Sequence, residues 1–215
     1  LPAYLDELYL ELGYTSTRNI STVMSGARGH LDIRKAQSSL RDNPPEQIGG
    51  KAVDELVDYR DERGPLGPLL CDTDRAARNI LEFKLTDGSR LIARPSGTEP
   101  KHKIYAEVSA PAIGVGGSLA DLRACKAETD ARARELSLDL CVELLGRIEI
   151  SIPRWALEIS DLVPLEYKRD FSQELLPGLV SKLAAGKSTG EVEEWVDHCL
   201  GKYGADGRML VRNAV

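Results

Sequence analysis

The pair Asp87-Gly88 stands between two short segments, residues 79–85 and 90–95, in which apolar and polar residues alternate. An Asp-Gly pair in that setting is a strong hairpin signal, because both residues tolerate the tight turn it needs. An isolated two-stranded hairpin is barely stable in water, so its apolar face requires further strands or a covering helix. A third alternating segment, "KHKIYAEV" at 101–108, meets that need. Between the second and third strands lies "RPSGTEP", residues 94–100. A plain turn needs a Gly or a Pro. This one carries a guanidinium and two hydroxyls besides.

The flanking chain supplies the covering elements. Residues 2–12 place Leu5, Leu8 and Leu12 on one helical face, with Pro2 near the first turn and Gly13 as the stop. Residues 15–24 are rich in hydroxyl and β-branched residues and predict a strand. "SGARGH" at 25–30 reads as a glycine-containing loop. Residues 31–41 then form a short helix that ends before Asn43-Pro44-Pro45. Residues 48–60 read as a strand and 61–77 as a polar loop with two prolines, in which "DTDR" at 72–75 opens a helix rather than a metal loop. A long helix is expected over 118–147, capped by Ser118 with Asp121 in its first turn. Leu122, Cys125, Thr129, Leu136, Leu140 and Leu144 share one of its faces. After Ile152-Pro153 the pattern is helical, broken by Pro164, Pro177 and Gly186. Ser188 and Glu191 make a capping box ahead of Val192, Trp195, Val196 and Cys199. Trp155 and Trp195 are core or docking residues of this tail.

Composition narrows the functional classes. The 215 residues suffice for one or two domains with a substantial core. A formal net charge of −6 argues against a nucleic-acid or membrane-surface binder, both of which favour a basic face. No apolar run approaches the roughly 20 residues that span a bilayer. Cys71, Cys125, Cys141 and Cys199 form no CxxC pair, and they share no ligand spacing with His30, His102 and His198. Free thiols in a reducing cytoplasm, and no zinc site, are expected. His30 is read as a surface residue. The chain begins with Leu1 inside a helix, the expectation for a fragment or a processed chain.

The loop itself has a definite chemistry. Arg94 offers a planar fork of donors suited to a phosphate dianion. Ser96 and Thr98 can each donate a hydroxyl hydrogen, and Gly97 lets the backbone approach a ligand and gather N–H groups around an anion. Pro95 lowers the entropy lost on ordering the loop. Lys101 and Lys103 project to one face of the next strand and His102 to the other. Such a set can hold one phosphate group.

"RPSGTEPKHKIY" closely resembles the phosphate-binding loop in the C-terminal domain of the α-D-phosphohexomutases, the phosphoglucomutase and phosphomannomutase superfamily. The order "LPAYLDELYLELGYT", "NPPEQIGGKAV" and "NILEFKLTDGSRLIARPSGTEPKHKIYAEV" is similar to the end of that family's third domain followed by its fourth, over residues 1–147. The resemblance implies an α+β fold: a small, mostly antiparallel sheet covered on one face by helices 31–41 and 118–147, then a helical extension. It divides the chain into a terminal helix of a preceding domain (1–14), a phosphate-binding domain (15–150) and an extension of unassigned role (151–215).

It further implies that Arg94, Ser96, Gly97 and Thr98, with Lys101 and Lys103 beside them, grip the substrate phosphate remote from the reacting hydroxyl. In the family, a phosphoserine enzyme interconverts hexose 1-phosphate and 6-phosphate through a bisphosphate intermediate, glucose 1,6-bisphosphate in the phosphoglucomutase branch that the loop most resembles. Mg²⁺ assists. No phosphoserine loop, D-x-D-x-D metal loop or G-E-x-S-G-H sugar loop occurs in this sequence. Catalytic and metal residues are therefore expected in missing N-terminal domains of the same polypeptide, and the domain boundary at 13–16 is the expected hinge. The contrasting class is a stand-alone phosphosugar-binding module whose tail recruits a partner.

Overall fold

The computed structural model describes residues 2–114, 116–161, 163–204 and 207. Its centre is a six-stranded sheet formed by β1 (Tyr14–Val23), β2 (Gln47–Ile48), β3 (Lys51–Asp58), β4 (Leu81–Leu85), β5 (Arg90–Pro95) and β6 (Lys101–Ala110). The spatial order is β1-β6-β5-β4-β3-β2, and each neighbouring pair is antiparallel. The Asp-Gly hairpin joins β4 to β5, with Leu81 opposite Ala93 and Phe83 opposite Leu91. Asp87 Oδ1 accepts from the Ser89 N–H at 3.0 Å, which ties the turn to its own side chain.

The helices are α1 (Pro2–Leu12), α2 (Gly26–Asp42), α3 (Asp72–Ala77), α4 (Leu119–Gly146), α5 (Leu165–Asp170), α6 (Leu176–Ala184) and α7 (Thr189–Leu200). α4 crosses β1 and β6 while α2 covers β5 and β6. Between them and the sheet lie Ile20, Phe83, Leu91, Ala93, Ile104 and Ala106, with α4 adding Leu136, Leu140, Cys141 and Leu144. Full burial of such side chains stabilises by roughly 1.5–3 kcal/mol each for the larger ones. The other sheet face is polar: Glu82 accepts from Tyr59 Oη at 2.6 Å, and Arg90 reaches Glu107 at 3.0 Å. This is the expected α+β arrangement, one helix-covered face and a helical extension. Among the described residues, no helix is long and apolar enough to cross a membrane.

Several local expectations need correction. "SGARGH" is not a loop, because α2 already begins at Gly26. Gly29 sits there for close approach: a Cβ on it would meet the Met24 carbonyl oxygen at 2.1 Å. Residues 48–60 are not one strand. Gly49 and Gly50, with φ of 57° and 73°, make a tight turn between β2 and β3 that side-chain-bearing residues resist. In α4, Cys125 is only partly buried and Cys141 takes its place in the core. His30 is exposed, on α2.

In the tail, Pro164 does precede a helix, but Pro177 does not end one. α5, a π-helical turn at Phe171–Leu175, and α6 run on without a gap. Proline has no N–H to give the carbonyl four residues back. The widened turn, in which the Leu176 N–H reaches the Phe171 carbonyl, comes immediately before it. The capping box at Ser188 and Glu191 opens α7 as expected. Trp195 lies against Gly178, where a Cβ would come within 2.7 Å of the ring, and Trp155 meets Phe171 edge-on. Residues 208–215, read as helical, lie outside the described residues, as does Leu1.

α1 is fastened to the sheet unit. Lys126 of α4 donates to Asp6 Oδ1 at 2.8 Å and lies 4.3 Å above the Tyr9 ring, and the Gly114 N–H bonds the Leu10 carbonyl. Residues 14–16 are already paired with β6. A Cβ on Gly13 would meet the Ala110 carbonyl oxygen at 2.4 Å. The segment 13–16, the expected hinge of the intact protein, thus joins two elements that both pack on the sheet unit.

Candidate functional site

β5 carries Arg94 to one end of the sheet, and the antiparallel register sets it directly opposite Lys103. Period-2 alternation turns both side chains, and Lys101, away from α2 and α4. The connection closes tightly. The Ser96 N–H bonds the Lys101 carbonyl at 2.8 Å, and the Lys101 N–H bonds the Glu99 carbonyl at 2.7 Å. β1 reaches the same place, since the Met24 N–H bonds the Pro100 carbonyl at 2.9 Å. Arg94, Pro95 and Ser96 are half-buried, whereas Gly97 and Thr98 are exposed.

The six candidate residues thus share one end of the sheet, but they are not equivalent. Lys101 is engaged by Glu99 at 2.7 Å. The hydrogen bond from Lys101, with the charge of Lys103 adding to it, holds the Glu99 carboxyl below its ordinary range. The Arg94 and Lys103 side chains make no hydrogen bond or ion pair with any described residue. Two adjacent cations, neither held in an ion pair, are a poor arrangement for fold stability, because like charges opposite each other across a ladder repel. Gly97 is equally uneconomical as structure. Its φ is not positive, and a Cβ on it would meet nothing within 4 Å.

His102 lies beneath the loop on the covered face, fully buried. Its Nε2 is 2.7 Å from Gln37 Oε1, while the Gln37 amide donates to the Ala93 and Asn79 carbonyls. That orientation of Gln37 makes Nε2 the protonated ring nitrogen. Burial pushes the His102 pKa down to about 3, so the ring is neutral and serves as a support. Gln37 has no signal in the sequence, being one polar residue among many on α2. Among the described residues, no group of three or more His, Cys, Asp or Glu side chains could hold a metal ion.

The architecture is that of an α+β sheet domain with one helix-covered face and a basic, glycine-containing loop at one end. Residues 45–113 match the family model for the phosphoglucomutase/phosphomannomutase C-terminal domain. A probable phosphomannomutase of Haemophilus influenzae is 39% identical over 107 residues, 50% of this chain and 19% of that protein. A phosphoglucomutase of Staphylococcus aureus is 30% identical over 111 residues, 50% of this chain and 20% of that protein. The chain therefore spans about a fifth of the length of these curated relatives. The open-form crystal structure of pp63/parafusin, an exocytosis-sensitive phosphoprotein and phosphoglucomutase from Paramecium, aligns with a TM-score of 0.36 and 15% identity, over 68% of this chain and 23% of that one.

Proposed function

We propose that this chain is the substrate-clamping C-terminal part of a phosphoglucomutase-like phosphohexomutase. The observation that carries the reading is the pair Arg94 and Lys103, adjacent across the β5–β6 ladder, with neither side chain held in an ion pair among the described residues. A phosphate dianion is the counter-charge they fit. Arg94 would supply a two-pronged contact, Lys103 a point charge, Ser96 and Thr98 their hydroxyls, and Gly97 the open approach. Lys101 joins them only by leaving Glu99.

The clamp would hold the phosphate at the far end of a hexose phosphate while the near end exchanges a phosphoryl group with an enzyme serine, by way of a hexose bisphosphate. Remote gripping of this kind orients the reacting end. The serine and the family's Mg²⁺ would belong to other parts of the polypeptide. The described residues offer the ion no cluster of three or more His, Cys, Asp or Glu ligands.

Calorimetry with glucose 1-phosphate tests the clamp. Losing a charge-assisted hydrogen bond costs about 1.5–3 kcal/mol, so Arg94→Ala should weaken binding at least about tenfold. Equal affinity in the two proteins would remove the assignment.

A further inference from the structure

We infer that Asp161, in the extension beyond the matched domain, is a positioning residue for the 96–100 loop. β1 is the edge strand beside β6, and its pairs include Ser21 with Lys103 and Val23 with Lys101. The Ser21 N–H points outward from the sheet and is taken by Asp161 Oδ2 at 3.2 Å. Three residues further on, the Met24 N–H holds the Pro100 carbonyl. The end of β1 is thus gripped from both sides, by the extension on its outer edge and by the loop on its inner edge.

The turn that presents Asp161 is itself fixed. Lys168 of α5, buried with 1% of its surface exposed, donates to the Leu157 carbonyl at 3.3 Å. Glu158 in the same segment pairs with Arg134 of α4 and with Arg18 of β1. Leu165 and Met24 line one cleft and share the hydrophobic core. A strand end with one free edge can fray. Pinned at Ser21, it offers Pro100 a stationary partner and keeps Lys103 in register with Arg94.

The functional meaning of this brace rests on the phosphate-clamp reading, but its existence can be tested separately. Amide hydrogen exchange on the full chain compares the wild type with Asp161→Ala and Asp161→Asn. Asp161 is exposed, but its carboxylate also supports the charge of buried Lys168, so the far-UV circular dichroism of each variant is matched to the wild type before exchange is compared. In Asp161→Ala, the Ser21, Met24, Ser96 and Lys101 amides should exchange at least tenfold faster, with Phe83 and Leu91 at the sheet centre unchanged. Asp161→Asn retains an acceptor for the Ser21 N–H and should restore most of the protection. Loop amides that ignore Asp161→Ala, or acceleration spread equally over the sheet, would overturn the proposal. An inorganic-phosphate titration followed at the Gly97 and Thr98 amides separates the two readings. Absence of any response in the wild type, with the exchange result as expected, refutes the clamp and leaves the brace standing.

Discussion

Arg94 and Lys103 carry the same charge but not the same geometry, and the difference predicts how the site tolerates change. Arg94→Lys keeps a cation on β5 and gives up the planar fork, so it should lose most of the affinity that alanine loses. Phosphate affinity near wild type in that variant would show that a point charge suffices. His102 makes a prediction of another kind. In the folded chain its ring accepts a proton only near pH 3, against an ordinary value of 6.5. Between those limits the unfolded chain binds the extra proton. Stability is therefore full above pH 6.5 and falls as the pH drops through that window, by up to about 1.4 kcal/mol per unit from this residue. Urea unfolding at pH 7 and pH 5 measures the slope. His102→Phe should flatten it while lowering stability at pH 7 by about 1–3 kcal/mol, because Gln37 Oε1 loses its buried donor.

Among the elements, α2 shows how tertiary packing overrides a local signal. Two glycines within four residues, Gly26 and Gly29, weaken a helix and favour a loop in any reading of propensity. Contact with Met24 decides otherwise, and that contact joins the helix to the strand that precedes it. Gly29→Ala should accordingly destabilise, despite the better helix propensity of alanine, by roughly 1–3 kcal/mol in thermal unfolding. Unchanged or raised stability would mean that α2 can slide away from β1. Elements whose cause is local were readable in advance. The Asp87-Gly88 hairpin, the Ser118 cap of α4 and the Ser188–Glu191 box depend on neighbours a few residues apart. Alternation sends Lys101 and Lys103 to one face of β6, but that Arg94 stands on the same face follows only from the β5–β6 register. Illegible were the features set by distant partners: Gln37 beneath His102, Lys126 over Tyr9, and Asp161 at Ser21. Each pairs residues more than 60 positions apart, and nothing in either neighbourhood marks the other.

At the scale of the whole molecule, the extension and the sheet unit share one core. Ile152, Leu157, Ile159, Leu165 and Phe171 belong to the same buried cluster as Phe83 and Leu140. The phosphohexomutase reading makes a negative prediction here: the chain alone should give no mutase turnover in a coupled assay containing Mg²⁺ and glucose 1,6-bisphosphate. Turnover above a buffer blank would place the missing nucleophile within it. The same shared core has a bearing on self-association. A sheet with a bare margin is a template on which another copy can lay its own strand, and proteins avoid this by shortening or masking the margins. Here one margin is β2, two residues long, with the part of β3 that it leaves uncovered, and the other is β1, met by Glu158 at the Arg18 side chain and by Asp161 at the Ser21 N–H. Cutting the chain after residue 150 would remove these contacts and leave the β-branched and hydroxyl-rich edge of β1 bare along its whole length. The truncated protein should then grow by strand addition, bind thioflavin T and sediment, at concentrations where the intact chain stays monodisperse.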